Sequence, residues 1–297
     1  MFDLLLSIRP LNLFIILFSQ SLFYFLLLKP LANDSVSPLV ISDGQFWLIV
    51  LLTECLAGSG YWVNNLFDQR IDQYNQRPNP FSNGVLSLRS GWLVYVLLNL
   101  VIIGLALSLI PLSINYLWSA LIAGVALFWY SYQLKCVPLA GNIIISCFVG
   151  CVPLMVFWGE LSRLAYWWQN PHLNNFVLLV LTYSLFAFFS NLLREIIKTI
   201  EDFPGDRAQS CQTLAVTWGV TRAAWLALII LTITGLLMFR MLRVLDTLSP
   251  QWSVGVIILS ALMLGGIGYF LIIKKWRIAQ QMVKLLMLLG LMALFLY

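Results

Sequence analysis

The chain has 297 residues, of which 61% are hydrophobic and only 10% are charged, and its mean hydropathy is +0.91. Soluble globular domains carry about 25% charged residues, so this composition excludes a water-soluble protein and indicates a polytopic membrane protein. The net charge of +5 does not indicate nucleic-acid binding, because in a membrane protein the side of the bilayer on which basic residues lie is more informative than their sum.

Nine apolar runs are long enough, at roughly 17 residues or more, to cross a bilayer as helices. Prolines and polar clusters separate the runs, as expected where helices end. We therefore predict an all-α protein with a single integral-membrane domain over residues 1–297. The runs lie near residues 11–28, 46–68, 91–111, 114–133, 138–158, 176–197, 220–239, 252–273 and 281–297.

The basic residues fall mainly on one side of this predicted topology. With the N-terminus in the cytoplasm, 13 of the 17 Lys and Arg residues lie on the cytoplasmic side and the other four lie outside. Cytoplasmic loops of membrane proteins are enriched in Lys and Arg. We therefore predict a multi-pass protein of the cell (inner) membrane with its C-terminus outside.

An acidic cluster stands at the cytoplasmic end of the second predicted span and contains Asn64, Asp68 and Asp72. Spacings of four residues place these side chains on one helix face, with a drift of ~40° and a rise of ~6 Å per step. Oxygen ligands suit Mg²⁺, which keeps some waters and takes other ligands from a substrate phosphate. The spacing therefore predicts a magnesium site.

A second acidic cluster, Asp202 and Asp206, closes the sixth predicted span and faces the same side, because four spans separate the two clusters. Two carboxylate clusters at membrane helix ends suit a diphosphate held by two magnesium ions. Proline lacks a backbone donor and clashes with the preceding turn. Pro204 therefore predicts that the helix ends near Phe203 and that Asp206 lies on a turn.

The positions of the two clusters suggest an internal duplication. Asp68 and Asp202 are 134 residues apart, which is the length of one four-helix unit with its loops. We predict four-helix units over residues ~1–135 and ~136–275, followed by a ninth helix over residues ~280–297, with the two clusters facing each other across a shared cavity.

Some polar residues have more than one interpretation. Glu54 is predicted ~15 Å deeper in the membrane than Asn64 and faces the bundle interior, where it either serves catalysis or hydrogen-bonds a neighbouring helix. Glu195 and Glu201 are interpreted mainly as ion-pair partners along one helix. The five cysteines show neither metal-ligand spacing nor an even-numbered disulfide framework,.

The motifs resemble those of the UbiA superfamily of intramembrane prenyltransferases. That family carries N-D-x-x-D-x-x-x-D after its second helix and D-x-x-x-D after its sixth, and the clusters described above occupy these places. The segment from Tyr130 to Asn142 resembles the family's Y-S-x-x-L-K-x-x-P-x-x-G-N loop, and Arg9-Pro-Leu-Asn12 is also typical. The resemblance covers essentially the whole chain and implies nine transmembrane helices around a central cavity.

The resemblance implies Mg²⁺-dependent transfer of a long prenyl group from a prenyl diphosphate. The segment from Arg194 to Arg207 is most similar to the digeranylgeranylglyceryl phosphate synthase branch and its bacterial relatives, which implies a hydroxyl of a glycerol-phosphate lipid as acceptor. The alternatives are an aromatic acceptor, as in quinone, chlorophyll or haem pathways, and, with less support, a cation-coupled transporter. Transport fits poorly, because the acidic groups cluster on one side of the membrane.

The implied partners are the prenyl diphosphate, a lipid or aromatic acceptor and the bilayer, with no nucleic acid and no obligate protein partner. The four aspartates are expected to be catalytic and, with Asn64, to hold the metal. Five cations are expected to bind the diphosphate, and two tyrosines to stabilise an allylic cation. The aspartates are Asp68, Asp72, Asp202 and Asp206, the cations are Lys135, Lys198, Arg77, Arg207 and Arg9, and the tyrosines are Tyr130 and Tyr132.

Two residues of the first motif region depart from the family pattern. Asn65 stands where the family has aspartate, which removes one negative charge, but the three predicted ligands remain and metal binding is expected to survive. Asn79 stands where the family usually has arginine before Pro80, and Arg77 lies two residues away.

Overall fold

The computed structural model of the protein describes residues 8–30, 40–74, 79–169, 171–246 and 250–296. Within these ranges every regular element is helical and no strand is present, as expected where the backbone must satisfy its hydrogen bonds inside a bilayer. A helix coincides with each of the nine predicted apolar runs. The α-helices are α1 (Pro10–Leu22), α2 (Asp43–Phe67), α3 (Gln69–Tyr74), α4 (Leu88–Ser108), α5 (Asn115–Tyr132), α6 (Ala140–Met155), α7 (Leu164–Gln169), α8 (Pro171–Glu201), α9 (Phe203–Ala208), α10 (Leu214–Trp218), α11 (Val220–Asp246), α12 (Pro250–Ile272) and α13 (Trp276–Met292).

Seven of the described helical segments are long and apolar enough to cross a membrane, which confirms the prediction of an integral membrane protein. The apolar helix α6 is shorter, and α5 begins and ends with polar residues, so membrane crossing by these two helices remains a prediction. The seven segments are Pro10–Leu28, Asp43–Phe67, Leu88–Ser108, Phe176–Glu201, Val220–Arg243, Val254–Ile272 and Trp276–Phe295.

Local sequence signals explain where α2 begins. Ser42 precedes its first residue, and the Ser42 hydroxyl accepts a hydrogen bond from the Gln45 backbone N–H at 3.3 Å. The Gln45 side chain accepts the Ser42 backbone N–H at 2.9 Å. This reciprocal pair satisfies two backbone donors that a helix start leaves without partners, and it fixes the register of the helix that carries the first acidic cluster.

Six helices form a ring around a central cavity. In order around the ring, α1 packs on α2, α2 on α5, α5 on α6, α6 on α8, α8 on α13, and α13 again on α1. Helix α4 packs outside α2 and α5, while α11 and α12 pack outside α8 and α13. The ring therefore closes between the first and last helices, where the Phe18 and Phe295 rings lie 6.4 Å apart.

Candidate active site

The first acidic cluster lies where α2 ends and α3 begins. Asp68 occupies the junction, yet the helical hydrogen-bond pattern continues through it. Its backbone N–H donates to the Asn64 carbonyl at 2.9 Å, and the Asp72 N–H donates to the Asp68 carbonyl at 2.8 Å. The Asn64 side-chain amide donates to Asp68 Oδ2 at 2.6 Å. Asn64 and Asp68 therefore share the helix face that their spacing predicts.

Lys135 reaches the same carboxylate from the short 3₁₀ helix Leu134–Cys136, which connects α5 to α6. Its Nζ forms an ion pair with Asp68 Oδ1, and the two side chains are only 15% and 14% exposed. The structure thus places this predicted diphosphate ligand directly on the first cluster, where its ammonium group compensates the aspartate charge.

The second acidic cluster lies at the end of α8, which finishes at Glu201, close to the predicted position. Asp202 precedes α9, and Pro204 lies in the first turn of α9. The N–H groups of a helix's first turn have no acceptor within the helix, so proline costs no hydrogen bond there. The chain therefore resumes a helix after the break. The predicted turn at Asp206 is wrong, because its N–H donates to the Asp202 carbonyl at 3.0 Å inside this short helix.

The short helices bring the two clusters together. Helix α3 carries Asp72 and packs against α9, which carries Asp206. Both aspartates are buried, at 9% and 7% exposure. The Thr213 hydroxyl donates to Asp206 Oδ2 at 3.0 Å, which fixes this carboxylate from the segment that follows α9.

A disulfide also connects the two sides of the site. It joins Cys136, next to Lys135, to Cys211, which follows α9. The prediction that the cysteines form no framework is wrong for this pair. The partners are 75 residues apart, and no spacing rule pairs cysteines that belong to different loops.

The donor chemistry of the two clusters fits Mg²⁺. Among the described residues, no group of three or more His, Cys, Asp and Glu side chains is arranged to hold a metal ion by itself. Magnesium does not require one, since it usually takes one or two protein carboxylates together with waters and substrate phosphates. The aspartates of the two clusters, of which Asp72 and Asp206 are buried, offer oxygens for such a partial set.

Asn79 holds the first cluster in place. It is fully buried, and its amide donates to Asp72 Oδ2 at 2.8 Å and to the Asn65 carbonyl at 2.9 Å. Its own oxygen accepts the Phe81 backbone N–H at 3.0 Å. Sequence reasoning noted Asn79 only as a departure from a family pattern, whereas the structure gives it three hydrogen bonds. Arg77, one of the five cations predicted to bind the diphosphate, lies outside the described residues.

A cavity of about 470 Å³ begins beside the clusters and extends along the ring helices. Its lining includes both Tyr130 and Asn115 of α5, which are ~22 Å apart by helical rise. Polar and charged side chains line the end nearest Asn64, and aliphatic and aromatic side chains line most of the rest. The cavity therefore suits a molecule with an anionic head and a long apolar chain.

Four of the predicted residues line this cavity, namely Asn64, Tyr130, Lys198 and Arg9. Seven others in the described part of the chain do not, and these include all four aspartates and Lys135. Tyr132 is two residues after Tyr130 on α5, so its side chain points ~200° away from that of Tyr130. It is 57% exposed, and its ring lies 5.7 Å from that of Phe67. Arg207 is exposed, and its guanidinium lies 5.9 Å from the Phe203 ring. Glu54 is half-buried and does not belong to the lining.

Two cationic cavity residues were not predicted as site residues. Arg194 and Lys284 line the same polar end, on α8 and α13. A signal for Lys284 was present in the sequence, because it is the only charged residue in the ninth apolar run and a charge inside a membrane helix usually faces the bundle interior. Arg194 stands near the end of the sixth apolar run, where basic residues are common, so its position in the sequence did not mark it as a site residue.

The fold and the site together define a class of intramembrane protein in which two aspartate clusters meet beside a cavity that has a basic end and mostly apolar walls. The sequence matches the model of the UbiA prenyltransferase family over residues 14–296. The chain belongs to this family.

Sequence and structure relatives agree with this assignment. The digeranylgeranylglyceryl phosphate synthase of Korarchaeum cryptofilum is 31% identical over 266 residues, which cover 86% of each chain. The synthase of the same name from Saccharolobus solfataricus is 32% identical over 186 residues, which cover 63% of this chain and 61% of that protein. A UbiA homologue from Archaeoglobus fulgidus, bound to GPP and Mg²⁺, has the same fold, with a TM-score of 0.60 at 17% identity over 99% of both chains.

Proposed function

We propose that the protein transfers a long prenyl group from a prenyl diphosphate to a hydroxyl of a glycerol-phosphate lipid, with Mg²⁺ as cofactor. The observation that carries this proposal is the continuity of the site. Asn64 of the first cluster lies on the basic rim of the cavity, beside cations of α8 and α13, and the cavity continues along α5 between mostly apolar walls. The names of the two synthases support the acceptor, and the ligands of the Archaeoglobus homologue support the donor and the metal.

The metal would be held by the carboxylates of the two aspartate clusters and by the amide oxygen of Asn64 in the first cluster. When bound, it would neutralise the diphosphate and make it a better leaving group. Lys135 lies on the first cluster, so its ammonium is positioned to donate to diphosphate oxygens as well. The proposed ligands are Asn64, Asp68, Asp72, Asp202 and Asp206.

The cavity walls protect the reacting carbon. The prenyl C1–O bond breaks and the diphosphate leaves with the bond electrons. The acceptor oxygen then forms a new bond to C1 and transfers its proton to an oxygen of the departing diphosphate. Tyr130 lines the cavity near the rim, where an aromatic face stabilises developing positive charge at C1. The apolar lining excludes water, which would otherwise capture this allylic carbon.

We further propose that α5 and α6 cross the membrane with the seven long segments, which makes nine spans with the N-terminus and the site on the cytoplasmic side of the cell membrane. The support is the distribution of 13 and four basic residues in the sequence,. The two aspartate clusters would then belong to two four-helix units that face each other across the cavity, with α13 as the additional helix.

Purified protein in lipid nanodiscs is expected to convert radiolabelled geranylgeranyl diphosphate and a geranylgeranyl glycerol phosphate monoether into a doubly prenylated lipid, only when Mg²⁺ is present. Prenylation of an aromatic acceptor panel, with no lipid product, would assign the alternative acceptor class.

In sealed vesicles, the donor cannot cross the bilayer, so product is expected only when the predicted cytoplasmic face is outward. Equal product from the opposite orientation would overturn the proposed sidedness.

Asn79→Ala is expected to raise the Mg²⁺ concentration for half-maximal activity by about tenfold and to lower the maximal rate. Asp72 would lose a hydrogen bond that orients it, and a buried, charge-assisted hydrogen bond is worth about 1.5–3 kcal/mol. A magnesium titration of the transfer rate measures both effects.

Asn83→Ala is the matched control, because Asn83 belongs to the same connection but is exposed. It is expected to leave the titration curve in place. Identical magnesium curves for Asn79→Ala and the unchanged protein would show that Asn79 does not position the first cluster.

A further inference from the structure

A group of cations lies on the cavity wall below the aspartate clusters, and it comes from three separate parts of the chain. Arg9 precedes α1, Arg194 and Lys198 lie on α8, and Lys284 lies on α13. Lys284 interacts electrostatically with the other three cations and with Glu195. We call these four cations and Glu195 the basic cluster.

The basic cluster has more positive than negative charge. Glu195 is 5% exposed and pairs with Arg194 and, at 3.9 Å, with Lys198. Among the described residues, no carboxylate lies within ion-pair distance of Arg9 or Lys284. Uncompensated charge inside a membrane protein is costly, so this end of the cavity favours an anion.

The guanidinium groups are held in place before any ligand binds. Arg194 Nε donates to Asn191 Oδ1 at 3.2 Å, and the Asn191 amide donates to the Ser146 hydroxyl of α6 at 3.1 Å. This chain of contacts fixes Arg194 through a neighbouring helix. Such preorganisation lowers the entropy cost of binding.

Arg9 is fixed in a different way. Its backbone adopts a left-handed conformation with φ 54°, which is costly for a residue other than glycine. The guanidinium lies 5.0 Å from the centre of the Tyr61 ring, and the Asn12 amide donates to the Tyr61 hydroxyl at 3.2 Å. The strained backbone of Arg9 and the contacts of Arg9 and Asn12 with Tyr61 therefore hold the Arg9 side chain at the cavity wall.

The basic cluster is distinct from the proposed diphosphate site. Glu195 lies on α8 seven residues before Asp202, whose N–H still donates to the Lys198 carbonyl at 2.9 Å, so the two residues are ~10 Å apart by helical rise. In a glycerol phosphate, the phosphorus is separated from the neighbouring free hydroxyl by two carbons and one oxygen. A phosphate held at the basic cluster can therefore present its hydroxyl toward C1 of a donor held at the aspartates.

We infer that Arg9, Arg194 and Lys284 form a second anion site, separate from the aspartate clusters, that binds the phosphate of the acceptor lipid. This inference rests on the proposed function and assigns Arg9 to the acceptor instead of the diphosphate. Guanidinium groups match phosphate oxygens in a bidentate geometry, which explains two arginines at this position. Lys198, one turn from Asp202 on α8, borders both sites.

The test compares two acceptors in nanodiscs: geranylgeranyl glycerol phosphate and the same monoether without phosphate. Lys284→Gln is expected to raise the KM for the phosphorylated acceptor about tenfold or more, by loss of one charged contact, with the KM for geranylgeranyl diphosphate changed less than twofold. The ratio of kcat/KM for the two acceptors is expected to fall by the same factor. Lys284→Arg is expected to retain most of the preference for phosphate.

Arg277→Gln is the matched control, since it removes one positive charge from the same helix at an exposed position. It is expected to leave the acceptor preference unchanged. If Lys284→Gln fails to fold, judged by size-exclusion profile and Tm, Arg194→Gln replaces it and is expected to give the same KM pattern.

The outcomes separate the second anion site from the proposed function. An unchanged acceptor KM in the folded variants would overturn the second site, as would an equal rise in the donor KM. Selective loss of an acidic aromatic acceptor in Lys284→Gln would also overturn it, because the cluster would then bind a carboxylate. No lipid product from the unchanged protein with either acceptor would instead refute the proposed function.

Discussion

Asp68→Ala and Asp202→Ala are each expected to lower prenyl transfer by about 10²- to 10³-fold, the usual effect of removing one group that stabilises transition-state charge. Each substitution removes a proposed metal ligand from a helix end, and neither side chain belongs to the apolar core. Asp68→Ala also leaves Lys135 without its carboxylate partner. The initial rate at saturating donor and acceptor, with Tm as a check on folding, measures the effect.

Glu201→Ala is the control for both substitutions. Glu201 is the last residue of α8, next to Asp202, and its sequence position indicates an ion-pair partner along the helix instead of a metal ligand. Its loss is expected to reduce the rate much less than either aspartate substitution. Nearly full activity in Asp68→Ala at ordinary magnesium concentration would contradict the assignment of the first cluster as the metal site.

Gly141→Ala is expected to lower transfer by about 10²-fold, because a displacement of ~1 Å in a catalytic group can have that effect. Gly141 is the second residue of α6. A Cβ at this position would lie 2.9 Å from the Leu134 carbonyl oxygen and 3.0 Å from the Lys135 Cα. Both are backbone atoms, so the segment that carries Lys135 must move away from Asp68.

Gly44→Ala provides the same change in an equivalent place. Gly44 is the second residue of α2, and a Cβ there would meet no atom within 4 Å. The control is expected to keep its activity. Equal rates in the two glycine variants would show that the α5–α6 connection tolerates movement, and Lys135 would lose its assigned position in diphosphate binding.

The parts of this structure that depend on helical geometry were predictable from the sequence. Apolar run length and proline positions located the helices, because a bilayer has a fixed thickness and proline ends helices. The contact between Asn64 and Asp68 also followed, since residues four apart share a helix face. The outward position of Tyr132 follows from the same geometry, although resemblance to a family loop had suggested the opposite.

The remaining features depend on contacts between distant segments. The Asn79 amide reaches Asp72 from a connection whose path no periodicity describes. Lys284 joins Arg9 only because the last helix packs on the first. The pairing of Cys136 with Cys211 likewise requires two loops to meet. For Asp206, Pro204 does follow a helix end at Glu201, but the same proline also suits the first turn of the next helix.

Closure of the ring between α1 and α13 makes the order of synthesis important. Chains are made from the N-terminus, so both aspartate clusters are complete on the ribosome before Lys284 emerges. A nascent chain that stops before Trp276 lacks the wall that α13 contributes to the cavity, and its bundle is open beside α1. Insertion of α13 therefore closes the ring only after both acidic clusters are already in place.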